Sequence, residues 1–214
     1  MLNNTGYYKN LSHNYPEYIP SPFESQIEMD LKRTFPEDPF FKQENNIIKL
    51  KNVLLAYSRR NLAIGYCQGF NFIVARLLKI YCNEEEAFWV FVQLIENILP
   101  INYYSELAGI MVDCTILIKL IKKYLPTLYD HMIRTGYELS LNNVLYKWYV
   151  SIYIQNISQE LGLLVWDLLF LEGSIIMFKS ALALLKILKN DLMATDSIEE
   201  INNIFDDETR HLND

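Results

Sequence analysis

The sequence predicts an all-α fold of about ten helices with no sheet. Three observations carry this expectation. Apolar residues recur at intervals of three and four over long stretches, the period of a helix with one buried face. Five of the seven prolines lie at positions 16, 20, 22, 36 and 39, so that beyond them only Pro100 and Pro126 interrupt the chain. Turn-forming residues do not recur every ten positions as they do between short strands, and this favours helix even for the apolar run 114–121.

The elements follow in order. Residues 1–25 read as an irregular lead-in, punctuated by proline, ahead of a domain over 26–210. Residues 26–34 form a short helix that stops before Phe35-Pro36, because a residue ahead of proline avoids the α region. Residues 44–59 place Ile47, Ile48, Leu50, Leu54, Leu55 and Ala56 at helical intervals, and 66–81 do the same with Phe70, Ile73, Val74, Leu77 and Leu78. Asn83 caps the next helix. Glu84, Glu85 and Glu86 suit its positive end, and Pro100 closes it after Leu99. Helices over 105–124, over 126–134 with proline at the start, and over 141–154 come next, with Gly136 ending the second. Ser158 and Glu160 open a helix that reaches Leu171. Gly173 breaks it, 174–192 resumes, and Asp196-Ser197 caps a last helix over 198–207.

Composition excludes several functions. A chain 51% hydrophobic and 21% charged has the material for a core and is not globally disordered. A formal charge of −7 without a long basic run argues against nucleic acid and anionic membrane surfaces as partners. The most apolar stretch, 161–178, carries Asp167 and Glu172 and so is not expected to span a membrane. Residues 1–9 are polar and lack the core of a signal peptide, so the sequons at Asn3, Asn10 and Asn156 are not expected to be used. Cys67, Cys82 and Cys114 are too far apart for a redox pair or metal knuckle and read as buried or partly buried thiols. His13, His131 and His211 are scattered, no metal site is expected, and no Gly-x-Ser-x-Gly or phosphate-binding loop is present. Trp89, Trp148 and Trp166 have apolar neighbours and read as core.

Two constellations remain. In Ile27-Glu28-Met29-Asp30-Leu31-Lys32-Arg33-Thr34, Asp30 and Arg33 stand three apart on one helical face. A carboxylate there can hold a guanidinium fork in one orientation. Taken alone, the pair also reads as an exposed surface ion pair. In Gly65-Tyr66-Cys67-Gln68-Gly69-Phe70-Asn71, two glycines bracket an aromatic and an amide ahead of an apolar helix. The glycines admit close approach of another backbone. Taken alone, this also reads as a helix start with Gln68 as a local hydrogen-bonding group and Asn71 bonded to nearby backbone.

Together these segments resemble the TBC family of Rab GTPase-activating proteins. Ile27, Asp30 and Arg33 match its I-x-x-D-x-x-R motif, and Tyr66 and Gln68 its Y-x-Q motif. Further matches are the segment 100–105, Asp113, Leu125-Pro126, His131, Lys147-Trp148-Tyr149, Val165-Trp166-Asp167 with Glu172-Gly173, and the run 178–184. The resemblance covers about residues 6–205. It implies the TBC multi-helix fold and activation of a GTP-bound Rab in the service of vesicle traffic. Arg33 is then the arginine finger and Gln68 the glutamine finger, both supplied in trans, with Asp30 and Tyr66 as positioning residues and Thr34 helping to present the finger. No cofactor is implied for this chain, since GTP and Mg²⁺ belong to the partner. A cytoplasmic location is expected, with any contact with endomembranes made through the Rab. Asp167 and Glu172 read as caps at a helix break, and Arg76 as an interface residue or the edge of the core. The family's opening R-x-x-x-W motif has no counterpart before Tyr7-Tyr8, so its helix is expected to be missing. An inactive TBC-fold module that binds a Rab or another partner, and a helical scaffold without a GTPase partner, stay open as alternatives.

Overall fold

Among the described residues twelve α-helices, joined by short 3₁₀ and π-helical turns, account for most of the length, and no strand occurs. A computed structural model describes residues 6–12 and 21–208. The chain divides into two units, Met1–Asn97 and Ile98–Asp214.

The first unit contains α1 (Tyr7–Ser12), α2 (Glu24–Leu31), α3 (Glu44–Arg60), α4 (Phe70–Tyr81), α5 (Glu84–Gln93) and the start of a π-helical turn, Leu94–Ile98. Helix α3 is its hub and touches the other four. The reason lies in its sequence: Leu50, Val53, Leu54 and Tyr57 recur at helical spacing and are almost wholly buried. They meet Phe70, Ile73, Val74 and Leu77 of α4 and Phe88 and Phe91 of α5 in one core. Tyr57, Phe70 and Phe91 meet edge to face, with ring centroids 4.8–5.7 Å apart. Asn83 caps α5 as its sequence predicts, its side chain accepting from the Glu85 and Glu86 amides.

The second unit contains a 3₁₀ turn (Ser105–Leu107), α6 (Ala108–Tyr124), α7 (Pro126–Arg134), α8 (Glu138–Val150), α9 (Gln159–Glu172), α10 (Ile175–Ile187), α11 (Lys189–Met193), α12 (Ile198–Asn203) and a π-helical turn (Ile204–Glu208). Helix α6 packs on α7, α8 and α10, and α9 lies against α10. Ile110, Cys114, Leu117 and Ile121 form the buried stripe of α6.

Several expectations need correction. The lead-in is not irregular throughout, because Tyr7–Ser12 is helical. Tyr8 is buried there and donates to Glu84 Oε2 at 2.6 Å. Arg60 lies 5.5 Å from the ring centres of Tyr7 and Trp89 while its fork engages Glu96, so Trp89 is a half-buried stacking partner rather than core. Helix α2 starts two residues and ends three residues earlier than the expected 26–34, leaving Lys32, Arg33 and Thr34 beyond its end. The stretch 141–154 stops at Val150, because Ile152 and Tyr153 take positive φ of 49° and 67°. The Ile152 carbonyl is thereby turned toward Trp166 Nε1, 2.9 Å away, and the Tyr153 hydroxyl toward the Met177 carbonyl at 2.5 Å. The stretch 174–192 is two helices, α10 and α11.

Individual residues differ as well. Cys82 is exposed, because it ends α4 in the left-handed conformation, whereas Cys114 is buried. Asp167 is exposed and Glu172 pairs with Lys179 at 2.6 Å, so neither is seen capping a helix. Arg76 is buried, 5.1 Å from the centre of the Phe35 ring. His131 is buried and bonded through Nε2 to the Thr195 carbonyl. His13, His211 and the sequon at Asn3 lie outside the described residues.

Candidate functional site

The site lies in the first unit, where the end of α2 meets the loop ahead of α4. Ile27, Asp30, Leu31 and Thr34 fall at helical spacing and form the buried face of this segment. A carboxylate is thus carried into the interior by its register, and Asp30 is only 3% exposed. Arg33, one turn on, stands at the rim with its side chain 51% exposed.

Burying a carboxylate costs several kcal/mol unless its oxygens are engaged. Both are. Asp30 Oδ1 lies 2.6 Å from Arg33 Nη2, and Oδ2 accepts from the Tyr66 hydroxyl at 2.7 Å. The ion pair is therefore not the freely solvated pair that an i, i+3 spacing alone suggests. One partner is fixed in the interior and the other reaches outward from it. Burial, reinforced by the bond to Asp30, pushes the Tyr66 phenol well above its ordinary pKa, so it stays a donor across the physiological range.

Tyr66 is held in turn. Its ring meets Phe70 edge-on with centroids 6.1 Å apart, and the residue is 5% exposed. The predicted helix over 66–81 begins only at Phe70, because Gly69 adopts φ of 115°, a conformation closed to residues with a Cβ. Residues 66–68 are consequently loop. Gln68 projects from it exposed, two residues from the anchor. Gly65 permits the loop to lie against α2, since a Cβ there would come within 2.0 Å of the Phe23 ring. Cys67 is half-buried, and burial pushes its thiol up to about 12, with the Asp30 charge adding to the effect.

The structure thus joins Asp30, Arg33 and Tyr66 in one hydrogen-bonded cluster and sets Gln68 on the loop that Tyr66 anchors. Sequence reasoning underrated two residues. Thr34 is 1% exposed, and its hydroxyl donates to the Asp30 carbonyl at 2.6 Å. Asn71, fully buried, donates from Nδ2 to Thr34 Oγ1 at 2.8 Å and accepts at Oδ1 from the Gly69 amide at 3.1 Å. The only sign in the sequence is an Asn placed in the first turn of an otherwise apolar helix.

The arrangement can present a guanidinium outward with one nitrogen already committed to a carboxylate, and an exposed neutral amide on the loop that Tyr66 anchors. That suits an acceptor-rich, anionic target on another molecule. Among the described residues no group of three His, Cys, Asp or Glu side chains could hold a metal ion. No helix among them is long and apolar enough to cross a membrane.

Comparisons with known proteins agree with the family that the sequence resembles. The sequence profile of the Rab-GTPase-TBC domain matches residues 2–193. A TBC domain-containing protein of Schizosaccharomyces pombe is 36% identical over 208 residues, covering 96% of this chain and 27% of that protein. Growth hormone-regulated TBC protein 1 of Homo sapiens is 36% identical over 204 residues, covering 94% of this chain and 59% of that protein. The chain thus spans about a quarter to three fifths of these relatives. The crystal structure of the Chlamydomonas flagellar RabGAP TBC domain superposes with a TM-score of 0.86 at 30% identity, covering 96% of this chain and 68% of that one. The Ypt/Rab-GAP domain of Gyp1p shares the fold, with a TM-score of 0.83 at 22% identity, covering 96% of this chain and 73% of that one. The chain belongs to the Rab-GTPase-TBC domain family.

Proposed function

We propose that this chain accelerates GTP hydrolysis by a Rab-family GTPase, acting on the GTP-bound form and thereby regulating vesicle traffic from the cytoplasmic side of endomembranes. The observation that carries the reading is the buried Asp30 carboxylate, which holds the guanidinium of Arg33 on one oxygen and the Tyr66 hydroxyl on the other. Hydrolysis by a Rab alone is slow because charge on the phosphate is poorly neutralised and the attacking water is poorly held. Arg33 supplies a permanently charged fork whose remaining N–H groups can reach phosphate oxygens. Orientation of that fork by Asp30 lowers the entropy lost when the partner docks. Gln68 carries an amide that can accept from the attacking water and donate to backbone of the partner. GTP and Mg²⁺ are held by the Rab.

The test is single-turnover hydrolysis by a panel of GTP-loaded Rabs, with and without this chain. One or a few Rabs are expected to be accelerated. Arg33→Ala should remove on the order of 10³–10⁵ of that acceleration, and Gln68→Ala roughly 10², with folding intact by circular dichroism. Activity that survived Arg33→Ala would remove the finger assignment. Rab binding without acceleration by the folded wild type would leave a binding module in its place.

A further inference from the structure

Arg33 and Gln68 lie on different segments, and an activity that needs both depends on their mutual register. The direct tie between the segments is Tyr66 to Asp30. Behind it lies a second tie. Asn71 is fully buried and spends its amide in two directions. Its Oδ1 accepts from the amide of Gly69, the residue after Gln68. Its Nδ2 donates to Oγ1 of Thr34, the residue after Arg33. Thr34 Oγ1 uses its own proton to reach the Asp30 carbonyl, so that bond and the bond from Asn71 fill complementary roles on a single oxygen. The Tyr66 hydroxyl also lies 3.3 Å from Asn71 Oδ1.

The backbone gives this tie leverage. Phe35, next after Thr34, is held at φ of 42°, and its ring packs edge-on against Phe72 of α4 at 5.3 Å. Gly69 lies at φ of 115° on the other segment. The chain leaves regular helix at both places, and the backbone bonds there are local, from the Arg33 amide to the Asp30 carbonyl, from Thr34 to Leu31 and from Phe70 to Cys67. Joining the two segments falls to side chains, and Asn71 is the one that bonds to a neighbour of each finger.

We propose that Asn71, with Thr34 as its partner, is a positioning residue that locks the arginine-bearing and glutamine-bearing segments into one register. The inference rests on the Rab-activating reading for its effect on rate, but the lock itself is a property of this chain and can be read separately.

Four proteins test it: wild type, Asn71→Leu, Thr34→Val and Thr34→Ser. The first readout is amide hydrogen exchange on the free chain. Asn71→Leu is expected to speed exchange at Gly69 and at Arg33 and Thr34 together, while amides in α3 keep their protection. The second readout is the maximal single-turnover rate against a responsive Rab and the chain concentration that gives half of it. A displacement of about 1 Å can cost about 10²-fold in rate. The maximal rate should fall by about that factor for Asn71→Leu and roughly tenfold for the milder Thr34→Val, with the half-saturating concentration unchanged. Thr34→Ser, which keeps the hydroxyl, should recover most of the loss. Unchanged exchange at both segments in Asn71→Leu would overturn the proposal whatever the rates do. So would a loss confined to the half-saturating concentration, or equal rates for Thr34→Val and Thr34→Ser. If wild type accelerates no Rab, the functional reading fails while the exchange data still decide the lock. If Asn71→Leu does not fold, Thr34→Val and Thr34→Ser carry both readouts.

Discussion

Asp30 is where sequence and chemistry meet most directly. Its spacing from Arg33 is legible in the sequence, because three residues along a helix brings two side chains together. Its burial is not, since the pair taken alone reads as exposed, and only the packing of Ile27 and Leu31 carries the carboxylate between them into the interior. The bond to Tyr66 is not, since it joins residues 36 apart and depends on how α2 and the loop before α4 pack. The same holds for Asn71 and Thr34, 37 residues apart, whose side chains carry no pattern that distinguishes a lock from an ordinary cap. The Tyr66 bond supplies a residue-scale prediction. Tyr66→Phe keeps the ring and its packing on Phe70 but leaves one oxygen of a buried carboxylate without its donor. Hydrogen bonds to charged groups contribute about 1.5–3 kcal/mol, so urea unfolding should show a loss of that order with an unchanged m value. Hydrolysis should fall by less than with Arg33→Ala, because the guanidinium and its Asp30 partner remain. An unchanged urea midpoint would mean that water replaces the hydroxyl and that the tie is not structural.

At the scale of elements, the existence of the long helices was readable, while their ends, the short α1 in the lead-in and the break between α10 and α11 were not. Helices α3 and α7 agree with their periodicity within a residue, and the Asn83 cap agrees with its pattern. The ends that moved are those set by tertiary contacts. Helix α8 stops without glycine or proline because the reversed backbone at Ile152 and Tyr153 satisfies Trp166 and Met177. Helix α4 starts late because Asn71 holds Gly69 in a loop. Gly109 shows the same contest in the first turn of α6. Replacing a helical glycine with alanine ordinarily stabilises by about 0.5–1 kcal/mol. Here an added Cβ would lie 2.6 Å from Tyr103 Cα and 2.8 Å from the Asn102 carbonyl oxygen. Those atoms are backbone and cannot swing aside, and overpacking typically costs about 1–3 kcal/mol. Gly109→Ala is therefore expected to lower the melting temperature despite its better propensity. A rise in thermal scans would show that residues 102–103 yield more readily than their packing implies.

At the scale of the molecule, both units bury titratable groups that folding keeps protonated. Burial pushes the Cys67 and Cys114 thiols up to about 12. It pushes the phenols of Tyr8, Tyr57, Tyr66, Tyr137 and Tyr149 above their ordinary range. In the unfolded chain a thiol releases its proton near pH 8.5 and a phenol near pH 10. Between those values and the raised folded ones, the folded protein binds more protons than the unfolded chain, so stability falls as pH rises. The contribution is fully present below about pH 8.5, begins to fade as the thiols of the unfolded chain ionise, and fades faster above about pH 10 as its phenols follow. Each such group adds a slope approaching about 1.4 kcal/mol per pH unit within its window. Urea midpoints measured from pH 7 to 11 should therefore stay level and then decline in two stages. The double variant Cys67→Ser/Cys114→Ala separates this from general charge repulsion on an acidic chain. It starts from lower stability, because Cys114 is packed in the core, but its decline should begin near pH 10 instead of 8.5. A flat profile to pH 11, or a decline starting at the same pH in the variant, would show that the thiols are not held neutral by the fold. If the onset moves as expected, the same burial that keeps Tyr66 a donor beneath Arg33 is measurable as a property of the whole chain, without a partner present.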